Sequence, residues 1–207
     1  VLLVLALLAA PPTARAQALY DAFVQAVTAD RSDEVRAMLA RGIDPNTVDP
    51  NGDPVLLVAA RAGWQPTVDA LLAAGAKVDA RNRFGDRAIM VAALGGHLAI
   101  VKTLFTRGAA LDASGWTPLI YAATNGHTDV ARYLLDAGAN VNAISPNGTT
   151  ALMMAVRGGH GPTVDLLLAR GADVNQRNQN GATALGWAAR GGFDAIEQAL
   201  RARGARN

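Results

Sequence analysis

Six glycines constrain this chain more than anything else in it. Gly42, Gly75, Gly108, Gly138, Gly171 and Gly204 are spaced about 33 residues apart, with a single interval of about 30 between Gly108 and Gly138. Each follows an apolar helical stretch and suits the left-handed residue that ends a helix. A second series, Gly52, Gly85, Gly115, Gly148 and Gly181, keeps the same spacing and the same short interval. Two landmarks drifting together define six copies of one unit, none of which can be a domain alone.

The clearest copy runs from Ser114 to Asn142. Thr117 before Pro118 is an N-cap with proline at the first helical position, where the missing N–H costs nothing. Gly126 ends that helix. Thr128 is placed to cap a second helix, with Val130, Leu134 and Leu135 on one face and Gly138 at its end. Each helix is about two turns long, against the ~12–15 residues an isolated helix needs, so the unit must stack on its neighbours.

Thr117-Pro118-Leu119, Ala122-Ala123, Gly126-His127 and the run Leu134 to Asn142 resemble the ankyrin repeat family, and the resemblance extends from about Leu19 to the C-terminus. It implies an all-α repeat fold: an ankyrin solenoid of six helix-turn-helix repeats with short β-hairpin fingers, its terminal repeats acting as caps. The repeats are expected at about 19–48, 49–81, 82–112, 113–144, 145–177 and 178–207. Such an array is one elongated cooperative unit without linkers. At the N-terminal end, a helix from Tyr20 to Ala29 carrying Phe23 and Val27, and a second capped by Ser32 with Val35, Met38 and Leu39, are flanked by charge. At the other end, Phe193 to Arg203 turns Ile196 and Leu200 inward.

Residues 1–18 follow a different rule. Val1 to Ala10 is an unbroken apolar run, Pro11-Pro12 interrupts it, and Ala14-Arg15-Ala16 and Ala16-Gln17-Ala18 are small-x-small sites. This reads as a secretory signal peptide cleaved near Leu19. The first residue is not Met and no basic segment precedes the apolar run, so the start is expected upstream, where a longer run would make an anchor instead. No Cys is present, which excludes disulfides and a lipobox. The expected location is periplasmic or secreted, and the combination resembles exported ankyrin proteins of proteobacteria.

Without Arg15 the chain has 18 basic against 17 acidic side chains. Net charge near zero, with no concentrated basic stripe, argues against nucleic acid. No apolar run reaches the ~18 residues of a membrane span, so no membrane contact is expected after cleavage.

Two departures from the family pattern stand out. After Leu111-Asp112 the chain reaches Gly115 through Ala113-Ser114 alone, so the third-to-fourth finger is three residues short and the row of fingers should be notched there. The histidine of the family's Thr-Pro-Leu-His tetrapeptide is absent throughout; Leu57, Met90, Ile120, Met153 and Gly186 take its place. The threonine is also lost twice, to Pro54 and Arg87, which predicts weaker local stability in repeats two and three.

Candidate chemistry is thin. His97, His127 and His160 fill one position in successive repeats, about 8–10 Å apart by helix packing, too far to share an ion at ~2 Å. Asp49 to Asp53 spells oxygen ligands at alternate positions, but Pro54 stands where a calcium loop needs glycine and Ala60 where it needs glutamate. The Gly95-Gly96, Gly158-Gly159 and Gly191-Gly192 pairs follow helices and not strands, so they read as turns and not phosphate cradles. No Cys nucleophile, no Gly-x-Ser-x-Gly elbow and no converging carboxylates are found; neither catalysis nor a cofactor is expected. Asn147-Gly148-Thr149 spells a glycosylation sequon and reads as a hairpin turn.

What remains is the concave surface. Carrying the family's contact positions over gives Arg61 in repeat two; Arg81, Arg83, Phe84, Asp86 and Leu94 in repeat three; and Trp116, Thr124 and Asn125 in repeat four. Asn147, Thr149 and Arg157 follow in repeat five, then Arg177, Gln179, Asn180 and Arg190. Aromatic and Arg side chains dominate interface hot spots, and Phe84 and Trp116 flank the notch, so this is the expected centre of a non-catalytic protein-binding surface on a monomer. Shielding of the next hairpin by Trp116 is the competing reading of that residue. The competing reading of the whole is a dedicated partner that neutralises or stabilises a neighbouring-gene protein, such as a toxin or oxidant-defence enzyme.

Overall fold

A computed structural model describes residues 12–112 and 115–206. Among them are twelve helices: α1 (Pro12–Thr28), α2 (Ser32–Ala40), α3 (Val55–Ala62), α4 (Gln65–Ala73), α5 (Ala88–Leu94), α6 (Leu98–Thr106), α7 (Pro118–Thr124), α8 (Thr128–Asp136), α9 (Ala151–Arg157), α10 (Gly161–Ala169), α11 (Ala184–Gly191) and α12 (Asp194–Ala202). The odd-numbered helices stack in one row, each on its predecessor, and the even-numbered helices in a second row behind it. This is the expected solenoid.

Small side chains set how closely the front row stacks. Ala59, Ala92, Ala122, Ala155 and Ala188 recur on it, all with zero exposure, and let backbones approach while Leu57, Ile89, Leu119 and Leu152 fill the space between. The tetrapeptide positions without histidine are consistent with this: Leu57, Met90, Ile120 and Met153 are core residues. Where threonine survives, it caps as expected: Thr117 accepts from the Ile120 N–H at 3.3 Å, Thr150 from Met153 at 3.2 Å and Thr183 from Gly186 at 3.1 Å.

Several boundaries differ from the sequence reading. The first helix begins at Pro12 and not at Tyr20. Proline suits a first helical position, and the alanine-rich stretch after it has high helix propensity, aided by a Gln17–Asp21 hydrogen bond of 2.8 Å. Residues 13–19 of this helix are exposed, whereas Phe23 and Val27 are fully buried as expected. The apolar run of the signal-peptide reading, Val1 to Ala10, lies outside the described residues. Neither Ser32 nor Thr128 is an N-cap; each is the first helical residue, after Arg31 and His127. Thr128 instead meets the Thr163 hydroxyl of the next repeat at 2.7 Å. The fingers are slighter than hairpins: single bridges join Val48 to Pro54, Arg81 to Arg87 and Ile144 to Thr150.

Side chains of one register close four of the finger tips. Asp49 accepts from the N–H groups of Asn51 and Asp53, Asn82 from Phe84 and Asp86, and Asn178 from Asn180 and Ala182; the Ser145 hydroxyl accepts from Thr149. Asp49 therefore serves its own turn, which accounts for its oxygen-rich loop without an ion.

Two polar series fasten repeat to repeat. Asn46, Asp79, Asp112, Asn142 and Asn175 accept the N–H of Lys77, Ala110, Asn140, Asp173 and Arg206 at 2.8, 3.3, 2.9, 2.8 and 2.9 Å. The three histidines supply the other: Nε2 of His97, His127 and His160 lies 3.2, 2.9 and 3.0 Å from the carbonyls of Arg61, Leu94 and Thr124, each near the end of the preceding front helix. That contact fastens each repeat to the one before it. It also demands glycine: at Gly126, where φ is +71°, an added Cβ would lie 2.6 Å from the His160 ring.

Candidate binding surface

The shortened finger opens the surface where the residues on either side of it converge. Arg81, Phe84, Asp86 and Trp116 surround a pocket of about 170 Å³, completed by Arg87, Met90 and the backbone around Gly115 and Pro146. Phe84 is 73% exposed at the tip of its finger, with the Arg83 guanidinium 4.7 Å above its ring. An exposed aromatic with a cation on its face is a ready contact for another protein.

Trp116 is only partly exposed. It packs on the core and meets the Tyr121 ring edge-on at 5.9 Å and 86°. Shielding is thus part of its role, but its other faces border both the first pocket and a second of about 230 Å³ lined by Leu94, Tyr121, Thr124 and Met154. The Tyr121 hydroxyl donates to Asp86, tying the fourth repeat to the third across the gap. Partial burial, with the Asp86 carboxylate beside it, raises the Tyr121 pKa.

Arg87 gives its helix no side-chain cap, as the lost threonine implies, and takes another role instead. Standing where a capping threonine belongs, it reads as a lost cap; in the structure it is 1% exposed. Its Nη1 donates to Asp79 Oδ1 at 3.1 Å and to the Ala110 carbonyl at 2.9 Å, so it ties the second repeat to the far end of its own. Nε and Nη2 are buried and have no partner among the described residues. A buried donor left unpaired costs about 1–3 kcal/mol. The 3.3 Å Asp79 contact is the longest of the repeat-to-repeat series, and Asp79 is the member of that series whose carboxylate also serves a buried cation.

The other expected contact residues fall elsewhere. The Arg61 side chain pairs with Asp53 at 2.8 Å. Asn125 donates to the Leu94 carbonyl at 2.9 Å, and Thr124 to the Ile120 carbonyl within its own helix. Gln179 fastens finger to finger, through its N–H to the Asn147 carbonyl at 2.9 Å and its side chain to the Pro146 carbonyl at 2.7 Å. Arg177 donates to the Gly181 carbonyl in its own finger, and Asn180 is exposed at the tip. Thr149 must be withdrawn as a contact: it is 2% exposed, with its N–H closing the finger turn. Arg157 and Arg190 meet around Trp187 and Phe193 on a separate open depression. The fifteen or so positions are therefore at least two patches, and the notch is the one that gathers Arg81, Phe84, Asp86 and Trp116.

A family model described as ankyrin repeats (3 copies) matches residues 23–114, 56–145, 108–178 and 138–207 in overlapping windows. The chain belongs to the ankyrin repeat family. Ankyrin repeats are typically non-catalytic and generally act as protein–protein interaction modules. No curated protein matches the chain. No helix among the described residues is long and apolar enough to cross a membrane.

Proposed function

We propose that this chain is an exported, non-catalytic ankyrin protein that holds a protein partner across the notch between its third and fourth repeats. The observation that carries this reading is Phe84, 73% exposed on a finger tip whose own turn is closed by Asn82, beside the gap bordered by Trp116. A large apolar ring held on a short, internally bonded loop is ordered before it meets a partner, which limits the entropy lost on binding. Export rests on the apolar run and small-x-small sites of residues 1–18; N-terminal sequencing of the secreted or periplasmic product should begin at about Leu19. The surface is tested by capturing partners on the mature chain and on Phe84→Ala with Trp116→Ala. Loss of a partner from the double variant, with helix content kept, supports the assignment; undiminished capture overturns it.

A further inference from the structure

Arg87 leaves one edge of its guanidinium unspent. Of its five donors, those on Nη1 go to Asp79 and Ala110, while Nε–H and the Nη2 N–H beside it lie along the opposite edge. That edge is the fork that takes both oxygens of one carboxylate in two parallel hydrogen bonds. Resting on the reading of this face as a binding surface, we propose that Arg87 receives a glutamate side chain of the partner through the pocket of the shortened finger, with an adjacent apolar side chain of the same segment seated beyond Trp116.

Three observations converge on it. The unpaired donors belong to a side chain 1% exposed that nevertheless lines a pocket opening to the surface. Asp79 answers the charge of Arg87 from the other edge and the Asp86 carboxylate is engaged by the Tyr121 hydroxyl, so neither carboxylate fills the free fork, which asks for two acceptor oxygens from outside. The neighbouring pocket of Leu94, Tyr121, Thr124 and Met154 is mainly apolar and shares Trp116 as its wall, so a charged and an apolar group one residue apart find different chemistry on either side of the indole. A glutamate carboxylate stands on two methylenes and reaches a buried fork, whereas a chain terminus would have to bring its backbone in with it. Phe84 and Arg81 at the rim are exposed. Both nitrogens are shut off from bulk water, where a charge-assisted pair is stronger than at the surface.

The probes are three fluorescent hexapeptides read by anisotropy against the mature chain: one with an internal Glu-Leu pair and an amidated end, its Gln-Leu counterpart, and one with Gln-Leu and a free terminal carboxylate. The Glu peptide should bind about tenfold or more tighter than the Gln peptide. In Arg87→Thr, which restores the capping residue seen at Thr117, Thr150 and Thr183 and so should fold, that preference should fall below about twofold. Arg87→Lys keeps the charge without the fork and should retain only part of it. Equal binding of Glu and Gln peptides, an undiminished preference in Arg87→Thr, preference for the free terminus, or no binding up to about 1 mM each overturns the assignment. Should Phe84→Ala with Trp116→Ala still abolish partner capture in any of those cases, the surface stands and only the carboxylate is lost.

Discussion

The junction between repeats three and four and the one between repeats five and six are built from the same unit and treat their fingers in opposite ways. At the second, Gln179 bonds to the carbonyls of Asn147 and Pro146, and backbone at Asn178 lies against Gly148, so tip holds tip. At the first, three residues are missing from one finger, and the contact across the gap passes instead through the Tyr121 hydroxyl to Asp86. Backbone fastening closes a surface. Side-chain fastening leaves space between the side chains, and here that space is a pocket with a buried cation behind it.

The comparison breaks most readily at Asp79. Replacing it by Ala removes the counter-charge of a buried guanidinium and one link of the repeat-to-repeat series, and should destabilise by about 2–3 kcal/mol in urea denaturation. That is below the value for a fully enclosed pair because Asp79 is 41% exposed. Asn142→Ala, at the equivalent place without a cation, should cost about 1 kcal/mol by the same measurement. Equal losses would mean that Arg87 draws nothing from Asp79. Thr150→Ala should likewise cost about 1 kcal/mol as a lost N-cap, while Arg87→Thr costs less or stabilises. Gln179→Ala should change stability by about 0.5 kcal/mol or less, since its partners are exposed, while raising amide exchange at the fifth and sixth finger tips.

The last difference is invisible at neutral pH. Tyr121 ionises later than in the unfolded chain because its partly buried hydroxyl donates to Asp86. Its contribution to stability is whole below the unfolded tyrosine value of about 10 and falls as pH rises above it, toward the raised folded value. Phenolate absorbance should show a step above the ordinary tyrosine value of about 10, and Tyr121→Phe should remove that step together with the alkaline loss of stability.

Much of this is legible in the sequence. Glycine spacing fixed the six units, and the Thr117, Thr150 and Thr183 caps, the buried Leu57 and Met153, and the shortened finger follow from patterns confined to one repeat. The Arg87 environment does not. Its counter-charge lies eight residues upstream, in the preceding repeat, and its carbonyl partner 23 residues downstream, so a rule about the local tetrapeptide sees only a missing threonine. The histidine contacts were half legible: the shared position said structural, but the carbonyl partner lies 33 to 36 residues back. The Asn and Asp series was present in the sequence at the glycine period, next to Val78, Val141 and Val174, and went unread because such residues are usual in turns.

The series also crosses the gap intact. Asp112 reaches the Asn140 N–H at 2.9 Å over 28 residues, where its counterparts at Asn46, Asp79, Asn142 and Asn175 span 31. Finger length is thus a variable separate from the scaffold: residues can be added to or cut from a tip while the spine keeps its phase. An insertion of three residues after Ala113 should therefore erase the notch without reaching the core, which makes this junction a place where recognition can be rewritten by length alone.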